Sequence, residues 1–265
     1  MTNPKVLTHS AGRVFHITIN RPERRNAIDP ETNQLMHDAM ERFAADDDLW
    51  IAVLRGAGDK AFSAGGDLMA LDRSLSGGEA YVIPASGYGG LTARFDLVKP
   101  VIAAVNGLAF GGGFEIALAA DLIICADHAE FALPEPKVGI LALAGGIHRL
   151  PRQIPKKLAM EILLTGGRIS ARRALELGLV NQLVPYAQLD EAVAQMVERL
   201  MRCGPLSLRA TKQMVELGLG FSLEEAIAKQ EQGYYSALNR MIGSHDVKEG
   251  VKAFSEKRPP VWTAS

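Results

Sequence analysis

Three glycines in a row run into a glutamate: Gly111-Gly112-Gly113-Phe114-Glu115. A second glutamate, Glu135, follows further along, held between Pro134 and Pro136. Upstream, Phe62-Ser63-Ala64-Gly65-Gly66-Asp67-Leu68 carries another glycine turn. A glycine turn can aim a backbone N–H at an oxygen. At a helix start the partial positive charge favours a developing anion. Two such turns and two carboxylates supply the parts needed to polarise a carbonyl, hold the resulting enolate and move a proton beside it.

Each residue also has a plainer reading. A glycine run is first a tight turn, and an acid such as Glu115 in the first turn of a helix suits the macrodipole. Glu135 reads as a loop acid on a rigid, non-helical segment. Its apolar flanks, Phe131-Ala132-Leu133 and Val138-Gly139-Ile140, predict partial burial, a raised carboxyl pKa and the character of a proton donor. Asp67 is expected to cap a helix starting near Leu68. The basic cluster Arg149, Arg152, Lys156 and Lys157 reads as a solvated helix start. The glycine runs match neither a dinucleotide fingerprint nor a phosphate-binding loop. His16, His37, His128, His148 and His245 show no metal-ligand spacing, and no G-x-S-x-G nucleophile turn is present.

The elements that must position these residues alternate. Val14 to Ile19 predicts a strand. Asp29-Pro30-Glu31 opens a helix through Leu35, Met36, Ala39, Met40 and Phe43. Ile51 to Arg55, Val101 to Val105 and Leu122 to Ala126 read as buried strands, and Phe114 to Ala120 as a helix. From about Gln188 only helical patterns follow: a first run to Leu200, then Leu208 to Leu217, Leu223 to Leu238 and Val247 to Phe254. An α/β core over residues 1–195 and a helical region over 196–265 are the expectation. The apolar faces of the late helices suggest a subunit interface. The glycine- and serine-rich stretch from Leu71 to Leu91 fits either a mobile, lid-like loop or a loosely held helix. No internal repeat is evident.

Composition narrows the class. The chain has 265 residues, 48% of them hydrophobic and 22% charged, and a formal charge of −1. Such a balance suits a globular protein with a full core and offers no basic field for nucleic acid or an anionic membrane. Neither an apolar N-terminal stretch nor a membrane-length run occurs. Cys125 and Cys203 do not suggest a disulfide, so a cytoplasmic location is expected.

Taken in order, these segments resemble the crotonase (enoyl-CoA hydratase/isomerase) superfamily. So do Asn20-Arg21-Pro22-Glu23-Arg24-Arg25-Asn26-Ala27, Lys99-Pro100 through Asn106-Gly107, Gly145-Gly146 with Arg149-Leu150, and Ala174 to Val184. The resemblance implies a spiral of ββα turns, a C-terminal helical trimerisation region, often a dimer of trimers, and an acyl-CoA thioester substrate with no separate cofactor. It implies an oxyanion hole made by the N–H groups of Gly66 and Gly112, with Glu115 and Glu135 as the catalytic pair. Arg24, Arg25, Ala27, Ala64, Asp67, Leu68, Pro134, Leu141 and Lys257 fall at substrate- or CoA-binding positions. Gly66 stands where a bulky aromatic is expected, which implies a roomier or differently shaped acyl pocket. Hydration of a 2-enoyl-CoA is the implied reaction. Double-bond isomerisation and thioester hydrolysis use the same hole, and a non-catalytic assembly or RNA-binding protein is the rival from another class. The near-neutral charge and the retained glutamates disfavour that rival.

Overall fold

The computed structural model describes residues 3–265; Met1 and Thr2, which begin the N-terminal stretch read above as lacking an apolar segment, lie outside the described residues. Two strands open the chain, β1 (Val6–Ala11) and β2 (Val14–Ile19), paired antiparallel around Gly12. Only β2 is legible as a strand in the sequence. β1 is exposed at five of its six positions and so carries no apolar alternation. Helix α1 (Pro30–Ala45) follows as expected. Asp29 accepts the Thr32 N–H at 2.8 Å, Pro30 takes the first position, and Met36, Met40 and Phe43 face the core.

A unit of sheet strand, short strand and helix then recurs. It appears as β3 (Ile51–Gly56), β4 (Ala61–Ser63) and α2 (Leu68–Leu75), and again as β5 (Val101–Val105), β6 (Leu108–Phe110) and α3 (Gly112–Ala119). The third pass is β7 (Leu122–Ala126), β8 (Glu130–Ala132) and, after a 3₁₀ turn at Glu135–Val138, α4 (Gly146–Gln153). Helix α5 (Lys156–Thr165), β9 (Arg168–Ser170), α6 (Ala171–Glu176), β10 (Gln182–Val184) and α7 (Leu189–Met201) complete the order.

One sheet runs β1-β2-β3-β5-β7-β10 and the other β4-β6-β8-β9. Within them β3, β5 and β7 lie parallel, and so do β4, β6 and β8. Each ββα pass therefore advances one strand in both sheets at once, which makes a spiral. The repeat is one of geometry: its helices and turns differ in length and composition, so no sequence repeat shows. β5 is buried at all five positions, in keeping with its continuous apolar run.

The chain divides into two compact units, one running to Arg94 and from Val101 to Val193, the other comprising Phe95–Pro100 and Ala194–Ser265. The second unit is helical, with α8 (Pro205–Gly218), α9 (Leu223–Glu231), α10 (Ser236–Ile242) and α11 (His245–Ser255). Ser222 and Glu225 form a reciprocal cap at the start of α9. The single helix expected over Leu223 to Leu238 is broken, because the chain turns at Gly233 with φ +72°. Arg258 grips Glu249 with two nitrogens, at 2.6 and 2.9 Å, and ties the tail back onto α11.

The segment Leu71 to Leu91 resolves into the end of α2, an exposed stretch, and a 3₁₀ turn at Tyr88–Gly90. Its far end is pinned to α1. Gly89 N–H donates to Asn33 Oδ1 at 2.6 Å, and Ser86 Oγ meets His37 Nδ1 at 2.7 Å. Gly90 lies so close to α1 that a Cβ would stand 2.7 Å from the His37 Cα. Glycine here allows an approach that other residues would block. No helix among the described residues is long and apolar enough to cross a membrane.

Candidate active site

The two glycine turns interlock. A Cβ on Gly65 would lie 2.9 Å from the Gly112 nitrogen, and one on Gly113 would lie 2.3 Å from the Ser63 carbonyl oxygen. Gly65 holds φ +85° and Gly111 φ +52°, both in the left-handed region that glycine adopts without strain. Gly66 bridges to Ile28 through its neighbours. Ile28 N–H donates to the Gly65 carbonyl at 2.8 Å, and Asp67 N–H donates to the Ile28 carbonyl at 3.0 Å. The Gly66 and Gly112 N–H groups themselves have no protein acceptor among the described residues. Gly112 stands in the first turn of α3, where a helix N–H lacks an intrahelical partner and carries partial positive charge.

The two glutamates are brought to these turns, each beside a glycine that makes room for it. Glu115 lies on α3 at 3% exposure, and its Oε1 accepts the Gly146 N–H at 2.8 Å. A Cβ on Gly146 would stand 3.0 Å from that oxygen. Glu135 is 8% exposed, and its Oε1 lies 2.8 Å from where a Gly111 Cβ would be. Its Oε2 is buried without a hydrogen-bond partner. Glu135 heads a 3₁₀ turn ended by Gly139 at φ +75°, so the segment expected to be non-helical carries one short helical turn.

Burial pushes the Glu115 carboxyl up to about 7; N–H groups of Gly146 and Ala144 and the Arg149 guanidinium pull against that rise, and the charge of Glu135 adds to it. Burial likewise raises Glu135. Two carboxyls raised by burial, Glu115 to about 7, thus flank a pair of open N–H donors. This arrangement can stabilise an oxyanion and transfer protons on either side of it.

Around this centre, Ala64 N–H donates to the Arg25 carbonyl at 2.9 Å, so Arg24, Arg25 and Ala27 lie beside the Gly65–Gly66 turn. Arg24 and Arg25 are exposed, and Arg25 takes φ +51°. Leu68 and Leu141 are exposed apolar residues and Pro134 is half-buried. Asp67 caps α2 by accepting the Ala70 N–H, and it also pairs with Arg21 at 3.1 Å, so its carboxylate is occupied structurally. Lys257 stands exposed just past α11 in the second unit, with φ +54°.

Arg149 departs from the reading of a solvated helix start. It donates to the Thr92 carbonyl at 2.9 Å and acts on Glu115, while Arg152, Lys156 and Lys157 are exposed. No sequence pattern marks Tyr81 or Tyr88. Tyr88 is buried with its ring against Gly112, where a Cβ would stand 2.4 Å from Cε1. The signal was thin, being one aromatic among glycines and serines. His128 and His148 are exposed, and no cluster of metal-ligating side chains occurs among the described residues.

The sequence model of the enoyl-CoA hydratase/isomerase family matches residues 9–265, and the chain belongs to that family. It is 43% identical over 253 residues, 95% of both chains, to a carnitinyl-CoA dehydratase of Salmonella typhi. Among solved structures, an enoyl-CoA hydratase from Mycobacterium tuberculosis H37Rv superposes with a TM-score of 0.91 at 40% identity, covering 99% of this chain and all of the other. A carnitinyl-CoA hydratase from Mycobacterium avium superposes with a TM-score of 0.76 at 40% identity over the full length of both.

Proposed function

We propose that this chain adds water reversibly to a 2-enoyl-CoA thioester. The observation that carries the reading is the pair of buried carboxyls, both raised by burial, beside two glycine N–H groups without protein acceptors among the described residues. In this reading the thioester oxygen accepts from Gly66 and Gly112, and the charge that develops on it is held there. Glu115, with Oε1 tied to Gly146, takes a proton from water through its other oxygen as the water attacks the β-carbon. The π electrons move toward the thioester, and Glu135 delivers a proton to the α-carbon. A 3-hydroxyacyl-CoA results, and the two glutamates exchange protonation states and reset through solvent.

Arg24 and Arg25 would meet the CoA phosphates, and Lys257 would reach CoA as well. Ala27, Ala64, Leu68, Pro134 and Leu141 would line the substrate. Crotonobetainyl-CoA and carnitinyl-CoA are the specific candidates, on the strength of the Salmonella typhi relative. The test is a panel of 2-enoyl-CoA esters followed by loss of the conjugated thioester absorbance. Hydration of at least one ester supports the reading. Double-bond migration or thioester cleavage without hydration would replace it.

A further inference from the structure

Gly66 leaves a space whose nearest neighbours are two phenols. A Cβ built on it would lie 3.2 Å from the Tyr88 hydroxyl oxygen and 3.6 Å from that of Tyr81. The two hydroxyls stand 3.0 Å apart. Both also approach one carbonyl, that of Ile28, Tyr88 at 3.3 Å and Tyr81 more closely. The same carbonyl already accepts the Asp67 N–H at 3.0 Å. A carbonyl oxygen has two lone pairs. Asp67 N–H and the nearer Tyr81 O–H fill them, which leaves Tyr88 with the long third contact. Its proton can turn to Tyr81 or to a ligand without breaking a short bond.

The ring of Tyr88 is held in place. It lies against Gly112, and its backbone N–H donates to Thr92 Oγ1 at 2.7 Å. Burial keeps both phenols protonated, with Tyr88 well above the ordinary tyrosine range, so Tyr88 is a donor at any physiological pH. The charges of Glu115 and Asp67 both act on Tyr88, which disfavours an anionic acyl group beside it. A wall of two oxygens beside Gly66 suits an acyl chain that carries a hydrogen-bonding oxygen.

We infer that Tyr88, backed by Tyr81, is a specificity-determining residue that donates a hydrogen bond to a neutral oxygen substituent on the acyl chain, so that short oxygenated enoyl-CoA esters are preferred over plain alkyl ones. This rests on the enoyl-CoA hydratase reading above and deepens it, placing neutral oxygenated esters ahead of the crotonobetainyl ester. A site built to bond a substrate oxygen loses discrimination when its donor is removed, because the pair, not the pocket volume, carries the preference.

The experiment compares 4-hydroxybut-2-enoyl-CoA with but-2-enoyl-CoA and reads the ratio of their kcat/KM values. Tyr88→Phe keeps the ring over Gly112 and removes one oxygen; the ratio should fall at least about tenfold. Tyr81→Phe, one step behind, should lower it by less. Gly66→Ala, which fills the space, should lower it too, and it decides the matter if Tyr88→Phe does not fold by circular dichroism. A ratio within twofold of wild type in the folded variants overturns the inference. Equal losses on both esters assign Tyr88 to the thioester oxygen and also overturn it. If the wild type hydrates no ester, the hydratase reading fails separately. The inference is then read from calorimetric affinities for 4-hydroxybutyryl-CoA and butyryl-CoA: a ratio that shifts in Tyr88→Phe upholds it, and an unmoved ratio refutes it.

Discussion

At the scale of residues, the proposed site rests on two carboxyls that burial raises. Glu115 titrates near 7 in the folded chain against about 4.5 for the free group. Between those values the folded state holds more protons than the unfolded one, so stability falls as pH rises from about 4.5 to about 7 and is level above. Glu115→Gln removes that dependence. Relative to the variant, the wild type should lose on the order of 3 kcal/mol across this window, measured by urea unfolding at pH 5 and pH 8. Parallel pH curves for the two proteins would show that Glu115 is not strained in this way. Arg24 and Arg25 act differently. If they meet CoA phosphates, replacing both with alanine should raise KM by about tenfold or more while kcat changes little, since such contacts are equal in ground and transition states. An unchanged KM would remove them from the site.

At the scale of elements, the N-terminus of α3 and the Gly65–Gly66 turn work as one fitted part. Gly112→Ala would set a methyl 2.4 Å from the Tyr88 ring, so the helix start or the ring must move, costing about 1–3 kcal/mol. Adding Tyr88→Ala opens that space, and the double variant should be less destabilised than the sum of the two singles, as thermal melting can measure. Strict additivity would mean that the ring does not press on the turn. Much of this element is legible in the sequence. The glycine run, the glutamates, the Asp29 and Asp67 caps and the apolar strands follow local rules that one sequence states. What could not be read depends on distant partners. β1 is defined by pairing with β2, Arg149 by reaching Thr92, and Tyr88 by the glycine it covers. The break at Gly233 is of another kind: glycine permits the positive φ there, a local rule that the apolar pattern on either side masks.

At the scale of the whole molecule, the helical second unit leaves large apolar side chains in solvent. Leu219 is 82% and Phe254 89% exposed, and Leu223, Ile242 and Val251 add to them. A single chain rarely leaves so much apolar surface open without a partner. We expect a trimer or hexamer, with Leu217, Leu219, Phe221, Leu223 and Ile227 partly covered between subunits. Light scattering at micromolar concentration should give three or six times 28.5 kDa, and a monomer would contradict it. We propose that the chain hydrates an enoyl thioester with Glu115 and Glu135 acting on one water. The most direct test is the hydration rate of the best enoyl-CoA ester by wild type, Glu115→Gln, Glu135→Gln and the double variant. Each single change should cost roughly a hundredfold or more, and the double much less than the product of the two, because both act in one transition state. Full activity in either folded single variant would contradict the account.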